Sequence, residues 1–172
     1  MIKSDLSSSE FDNYYSKYTD KLSDNTELKK GFEIGKNTLI NFFKSIPKEK
    51  LMYRYQPQKW SIKEILQHLI DTERIFMYRC FRIARRDKTA LAGYDQDIYI
   101  KPSEASNKSI DSLLNEFTVN RKYSISLLNS LTGEDLCFIG NASGNAMSAR
   151  AAAFIVIGHD IWHMEVIKNN YL

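Results

Sequence analysis

Four long stretches of this 172-residue chain repeat their apolar residues at steps of three and four, and nowhere is a two-residue alternation sustained. The first spacing lines side chains along one face of an α-helix, whereas a half-buried strand needs a period of two. An all-α fold is therefore expected. The four stretches, joined by connections of unequal length, read as a four-helix bundle with one long crossover. The whole chain, 1–172, is read as a single domain large enough to bury a sizeable core.

Residues 1–25, polar and rich in Ser, Asp, Lys and Tyr, are expected to form a peripheral segment that contributes least to function. A first helix is expected from Thr26 to Ser45, carried by Leu28, Phe32, Leu39, Phe42 and Phe43 and stopped by Pro47. Gly31 and Gly35 within it predict the close approach of a neighbouring helix. The second helix has the clearest start. Ser61 with Glu64 forms a capping box, and Trp60 with Ile65 forms a hydrophobic staple. It should run to about Arg86, with Ile65, Leu69, Phe76, Cys80 and Ile83 in one stripe and His68, Thr72, Ile75 and Arg79 beside it.

The pattern lapses from Asp87 to Lys108, a crossover long enough to cap one end of the core. A third helix is expected from Ser109 to Leu131, ended by Gly133. Asn120 and Arg121 interrupt its inward face and need partners; either one of them faces a polar cavity or Arg121 reaches out to solvent. Residues 140–145 read as tight turns, and Ser148 as the N-cap of the fourth helix.

Charge excludes some functions. With 24 basic against 21 acidic residues and a formal charge of +3, nucleic acid and anionic membranes are not expected partners. The densest basic group, Arg82, Arg85, Arg86 and Lys88, reads as a solvated helix end. No apolar run approaches the ~20 residues that span a bilayer, and the first residues lack the apolar region of a signal peptide. Cys80 and Cys137, the only cysteines, are expected to be reduced in a cytoplasmic protein, with neither a favoured nucleophile.

The chemistry-bearing residues are the three histidines. His159 and His163 stand four apart in Gly158-His159-Asp160-Ile161-Trp162-His163-Met164-Glu165, so both imidazoles share one helix face. His68 borders the apolar face of the second helix. Left without partners in a core, such groups cost about 1–3 kcal/mol each; a shared metal removes that cost. Three neutral nitrogens also leave an open coordination position, as in catalytic sites. Zinc is the default ion and nickel the next, with iron, cobalt and manganese also accepted by imidazole. Asp71, Glu73, Asp160 and Glu165 lie near enough in sequence to orient the rings, Glu73 being the best placed.

Lys59-Trp60-Ser61-Ile62-Lys63-Glu64-Ile65-Leu66-Gln67-His68-Leu69-Ile70-Asp71-Thr72-Glu73 resembles the N-terminal signature of the DinB-like (YfiT-like) superfamily. Gly158-His159-Asp160-Ile161-Trp162-His163 is similar to its C-terminal signature, and the likeness covers roughly residues 28–172. The resemblance implies a four-helix bundle holding a divalent metal on His68, His159 and His163, and a homodimer. It also implies metal-dependent enzymes acting on a small molecule: hydrolases, or transferases that activate a low-molecular-weight thiol such as bacillithiol or mycothiol. The thiol chemistry predicts an anion-receptive pocket, for which Arg121 and Arg79 are candidates. Two other classes stand beside the enzyme: a stress- or damage-related binding protein with a non-catalytic metal, and a bundle whose histidines simply hydrogen-bond in the core.

Overall fold

The computed structural model describes all 172 residues. Its long helices begin where the sequence supplies caps. α1 (Ser16–Thr19) is a single turn, and α2 spans Leu28–Ser45. α3 (Ile62–Ala84) starts on the expected capping box: Ser61 N–H donates to the Glu64 carboxylate at 2.7 Å, and Glu64 N–H donates to Ser61 Oγ at 3.4 Å. α4 (Asp97–Ser103) lies within the crossover, and α5 runs over Ile110–Asn129. After α6 (Gly133–Cys137), strands β1 (Ile139–Ala142) and β2 (Asn145–Ser148) precede α7 (Ala149–Asn170), which is capped by Ser148.

The four long helices form a ring in the order α2, α5, α3, α7, so α2 and α3, successive in sequence, lie diagonally opposed. No helix is long and apolar enough to cross a membrane. The core has two apolar clusters along the bundle axis. One gathers Phe32, Phe76, Cys80, Leu128, Phe154 and Val156; the other gathers Leu39, Phe43, Leu66, Leu69, Phe117 and Ile167. On α3, α5 and α7 the changeover between clusters is marked by buried polar residues: Glu73, then Asn120, Arg121 and Ser124, then His159, Asp160 and His163. A polar belt thus crosses an otherwise apolar core.

Several expectations need correction. Gly133 does not end the third helix. It opens α6, which Thr132 and Asp135 start with a capping box of their own. Residues 139–148 form an antiparallel hairpin whose strands are too short for any alternation to show, closed by Ser143 and Gly144 at φ 56° and 84°. Both positive angles suit the turn that matches strand twist. The crossover does not cap an end of the core. It runs back along α3, with Leu91 bridged to Ala142 of the hairpin at one end and Ser106 O accepting from Lys63 Nζ at 2.7 Å at the other. Arg86 pairs with Glu134 and Asp135, and Arg82 with Asp87, so the basic helix end is ion-paired rather than merely solvated.

The N-terminal segment is tied to the bundle by buried contacts. Glu10 is buried and accepts two hydrogen bonds from Arg150, at 2.8 and 2.6 Å, tying residues 140 positions apart. Tyr18 and Leu22 enter the core.

Candidate metal centre

His68 projects from the second turn of α3, and His159 and His163 project from one face of α7. The ring nitrogens meet. His159 Nε2 lies 3.1 Å from His68 Nε2 and 3.1 Å from His163 Nε2. One ligand atom from each ring lies within 4.8 Å of the other two, and all three side chains are buried.

Burial holds the rings neutral. It brings His68 down to about 4, and it carries His159 and His163 well below the ordinary histidine value, helped by the neighbouring imidazoles and Lys17. Neutral rings keep a lone pair available for a metal. His68 Nδ1 stands 3.4 Å from Thr72 Oγ1, and the Tyr94 hydroxyl donates to the same oxygen at 3.5 Å. With Nδ1–H donating to Thr72, the His68 lone pair falls on Nε2, toward the other two rings.

Hydrogen bonding alone leaves this trio incomplete. His159 Nε2 carries either one proton or one lone pair, so it can serve only one of its two Nε2 neighbours at a time. His163 Nδ1 is buried with no partner. A divalent ion satisfies all three Nε2 atoms together. At bonds of about 2.0–2.1 Å, tetrahedral ligand nitrogens stand roughly 3.3 Å apart, close to the spacing these rings already have. The residues fit the ion.

Aromatic rings fix the imidazoles. Tyr18 meets His159 edge-on with centroids 5.0 Å apart, Trp162 meets His163 at 4.7 Å, and Trp60 leans on His68 at 4.7 Å. Two clefts lead to the cluster and share Tyr14, Tyr18, Gln96 and Asp97 in their walls. One, of about 490 Å³, reaches His159 past Thr72 and Tyr94; the other, of about 340 Å³, reaches His163 past Lys17 and Trp60. Residues 14–18, expected to contribute least, therefore form a wall of the site. The sequence carried no periodicity there to reveal it, only a density of tyrosines.

The acidic residues expected near the rings sit elsewhere. Glu73 and Asp160 turn to Arg121 rather than to a histidine: Arg121 donates from Nε and Nη2 to Glu73 at 2.8 and 2.9 Å, and from Nη2 to Asp160 at 2.6 Å. Ser124 completes the group by donating to Glu73 at 2.6 Å. Arg121 is fully buried, so it does not reach solvent; although burial opposes its charge, the two carboxylates hold its proton more firmly than usual. Asp160 is raised to about 6 by burial, against the pull of Arg121. Asp71 pairs with Arg74 and Gln67, and Glu165 with Lys21. The one side chain hydrogen-bonded to a histidine from outside the trio is Thr72, which the sequence reading placed only on a stripe. Burial pushes the Cys80 thiol up to about 12, an inert group.

Arg79 is buried without a carboxylate. Its Nη2 donates to Ala92 O at 3.0 Å and to Ser143 Oγ at 2.8 Å, joining the crossover to the hairpin, while Nη1 has no partner.

A family model of the DinB superfamily matches residues 32–167. The fold is shared with YfiT from Bacillus subtilis, at 14% identity and a TM-score of 0.74 over 95% of this chain and 89% of that one. YfiT is described as a probable metal-dependent hydrolase with an unusual four-helix bundle topology. No curated protein matches the sequence.

Proposed function

The chain belongs to the DinB superfamily, and from that premise we propose that it is a metal-dependent hydrolase whose divalent ion is held by His68, His159 and His163. The convergence of three neutral imidazoles, with His159 Nε2 3.1 Å from Nε2 of each of the other two and no arrangement of protons that satisfies all of them, supports this reading best. The description of YfiT as a probable metal-dependent hydrolase agrees with it. Zinc and nickel suit three imidazoles, with iron, cobalt and manganese as further choices.

When bound, the ion supplies Lewis acidity at an open position, where a water or a thiol gives up its proton more readily. The protein's own residues do the rest. Thr72 holds the His68 ring in the tautomer that presents Nε2. Tyr18, Trp60 and Trp162 pack against the three rings and fix their planes. Asp97, in the wall of both clefts, is the carboxylate available to accept a proton from a nucleophile approaching by either route. A small-molecule substrate fits clefts of this size.

A second reading, transfer of a low-molecular-weight thiol, is favoured by one observation. Of the two arginines expected to receive an anion, Arg121 is consumed by Glu73 and Asp160, but Arg79 has no carboxylate and a free Nη1. Its guanidinium carbon lies 5.0 and 5.6 Å from the ring centroids of Phe76 and Tyr94, which line the cleft leading to His159. A non-catalytic metal site in a stress-related bundle is the alternative that activity assays address. A homodimer in the cytoplasm belongs to the same proposal and is measured by sedimentation and fractionation.

The test is elemental analysis of protein purified without a histidine tag, joined to hydrolysis assays on ester, amide and phosphoester panels and to a thiol-transfer assay. Stoichiometric metal and turnover, both lost in His163→Ala, are expected. Stoichiometric metal without turnover on any panel would favour the non-catalytic site. Failure to take up metal even after loading would end the proposal.

A further inference from the structure

The cleft that reaches His163 has an unpaired cation in its wall. Lys17, on the single turn α1, is an exposed residue lining that cleft, so a ligand entering from solvent can reach it. Its ammonium lies 3.8 Å from the ring centroid of Tyr14, 5.0 Å from that of Tyr18 and 5.8 Å from that of Trp162. Neutral rings attract a cation to their faces but cannot cancel its charge, so they locate the ammonium without neutralising it. None of the chain's ion pairs includes Lys17. Lys21, one helical turn further on, is by contrast held by Glu165 at 2.6 Å.

Two of the rings that hold Lys17 also hold the imidazoles. Tyr18 stands edge-on to His159 and Trp162 to His163, with centroids 5.0 and 4.7 Å apart. A single aromatic side chain therefore bridges from the ammonium to each of these histidines. The charge is felt there: burial first, and then neighbouring charges that include Lys17, keep His159 and His163 below the ordinary histidine value.

The cleft walls differ in charge. Lys17, Lys59 and Asp97 are the charged wall residues on the His163 side, a net positive set, whereas the cleft that reaches His159 has Asp95 and Asp97 and neither lysine nor arginine in its wall. An anion is thus received on the His163 side. Tyr55, Trp60, Trp162 and Val166 line the same 340 Å³ cleft and suit a small aromatic body. We infer that Lys17 is a specificity-determining residue, pairing with the anionic group of a small aromatic substrate that enters by the His163 cleft. That such a molecule is turned over rests on the hydrolase reading; that it binds does not.

Trp60 and Trp162, the chain's two tryptophans, both line this cleft, so intrinsic fluorescence reports its occupancy. Phenylacetate and phenylacetamide, alike in shape and different in charge, are titrated into metal-free protein at low ionic strength and again after metal loading. The metal-free protein should favour phenylacetate by about fivefold or more, and added salt should erode the preference. Lys17→Met should abolish it, Lys17→Arg should keep it, and Lys59→Met should leave most of it. The metal-free arm needs neither ion nor turnover, so its outcome is independent of whether the chain is a hydrolase. No binding, equal binding of the two probes, or a preference that survives Lys17→Met would overturn the inference. A preference that arises only after loading would assign the anion to the ion and overturn it as well.

Discussion

Gly158 lies so close to the carbonyl oxygen of Tyr18 that a methyl group on it would stand 2.1 Å from that oxygen. The N-terminal segment thus seats on α7 one residue before His159, through a gap that only glycine provides. Gly158→Ala should push Tyr18 off α7 at a cost typical of overpacking, about 1–3 kcal/mol, which exceeds the roughly 1 kcal/mol that alanine offers a helix over glycine. Urea denaturation gives the sign. A more stable variant would mean that the segment does not sit there.

Thr72 is the hydrogen-bond partner of His68 from outside the trio. Thr72→Val keeps the shape of the side chain and removes the hydroxyl, so the protein should fold normally while metal affinity falls by about 10–100-fold. Competition against a chelator measures this, and Thr72→Ser should restore most of the loss. Unchanged affinity in the valine variant would assign Thr72 to packing alone.

Arg121 with Glu73 and Asp160 is a buried ion triad, each member at most a few per cent exposed. Arg121→Met leaves two buried carboxylates without their cation and should destabilise by about 3–5 kcal/mol. Combining Arg121→Met with Glu73→Gln and Asp160→Asn should recover a large part, because the uncompensated charge is then gone. Thermal melts of the single and triple variants decide it.

Burial raises the Glu10 carboxyl, but the hydrogen bonds from Arg150, Ser148 and Ser7 outweigh it and hold Glu10 below its ordinary value. The unfolded chain therefore binds the Glu10 proton at a pH where the folded chain does not. This contribution to stability is present above the ordinary glutamate range, near pH 4.3, and is lost as pH falls through the lower folded value. Glu10→Gln should make the protein less stable at neutral pH and flatten its acid loss between about pH 5 and 3. An unaltered slope would show that the pair carries no pH dependence.

Metal binding to the folded chain alone should raise the melting temperature, with about 2.7 kcal/mol expected at a free metal concentration of 100 times Kd. His68→Ala and His159→Ala should each abolish the rise. A rise that survives both changes would place the metal elsewhere.

Much of the frame was legible in the sequence because its signals are local. Ser61 and Glu64 cap α3, Ser148 caps α7, and three- and four-residue spacing marks every long helix. The histidine trio was legible as a set because two members share a helix turn and the third follows a strong helix start. The fate of Arg121 was not, since Glu73 lies 48 residues away and Asp160 lies 39 away. Likewise, nothing near Tyr18 announces its seat on Gly158. Four-residue strands such as Ile139–Ala142 fall below the length at which alternation can be recognised.

The two clefts owe part of their walls to different parts of the chain than the histidines do. His68, His159 and His163 ride on α3 and α7 at the heart of the bundle, whereas Tyr14, Tyr18, Tyr94, Gln96 and Asp97 come from the N-terminal segment and the crossover. Connecting segments accept sequence change far more readily than packed helices. Changes at Gln96 or Asp97 would therefore re-tailor what enters while leaving Tyr18 and Thr72, which hold the imidazoles, in place, so selectivity can diversify apart from the ring cluster.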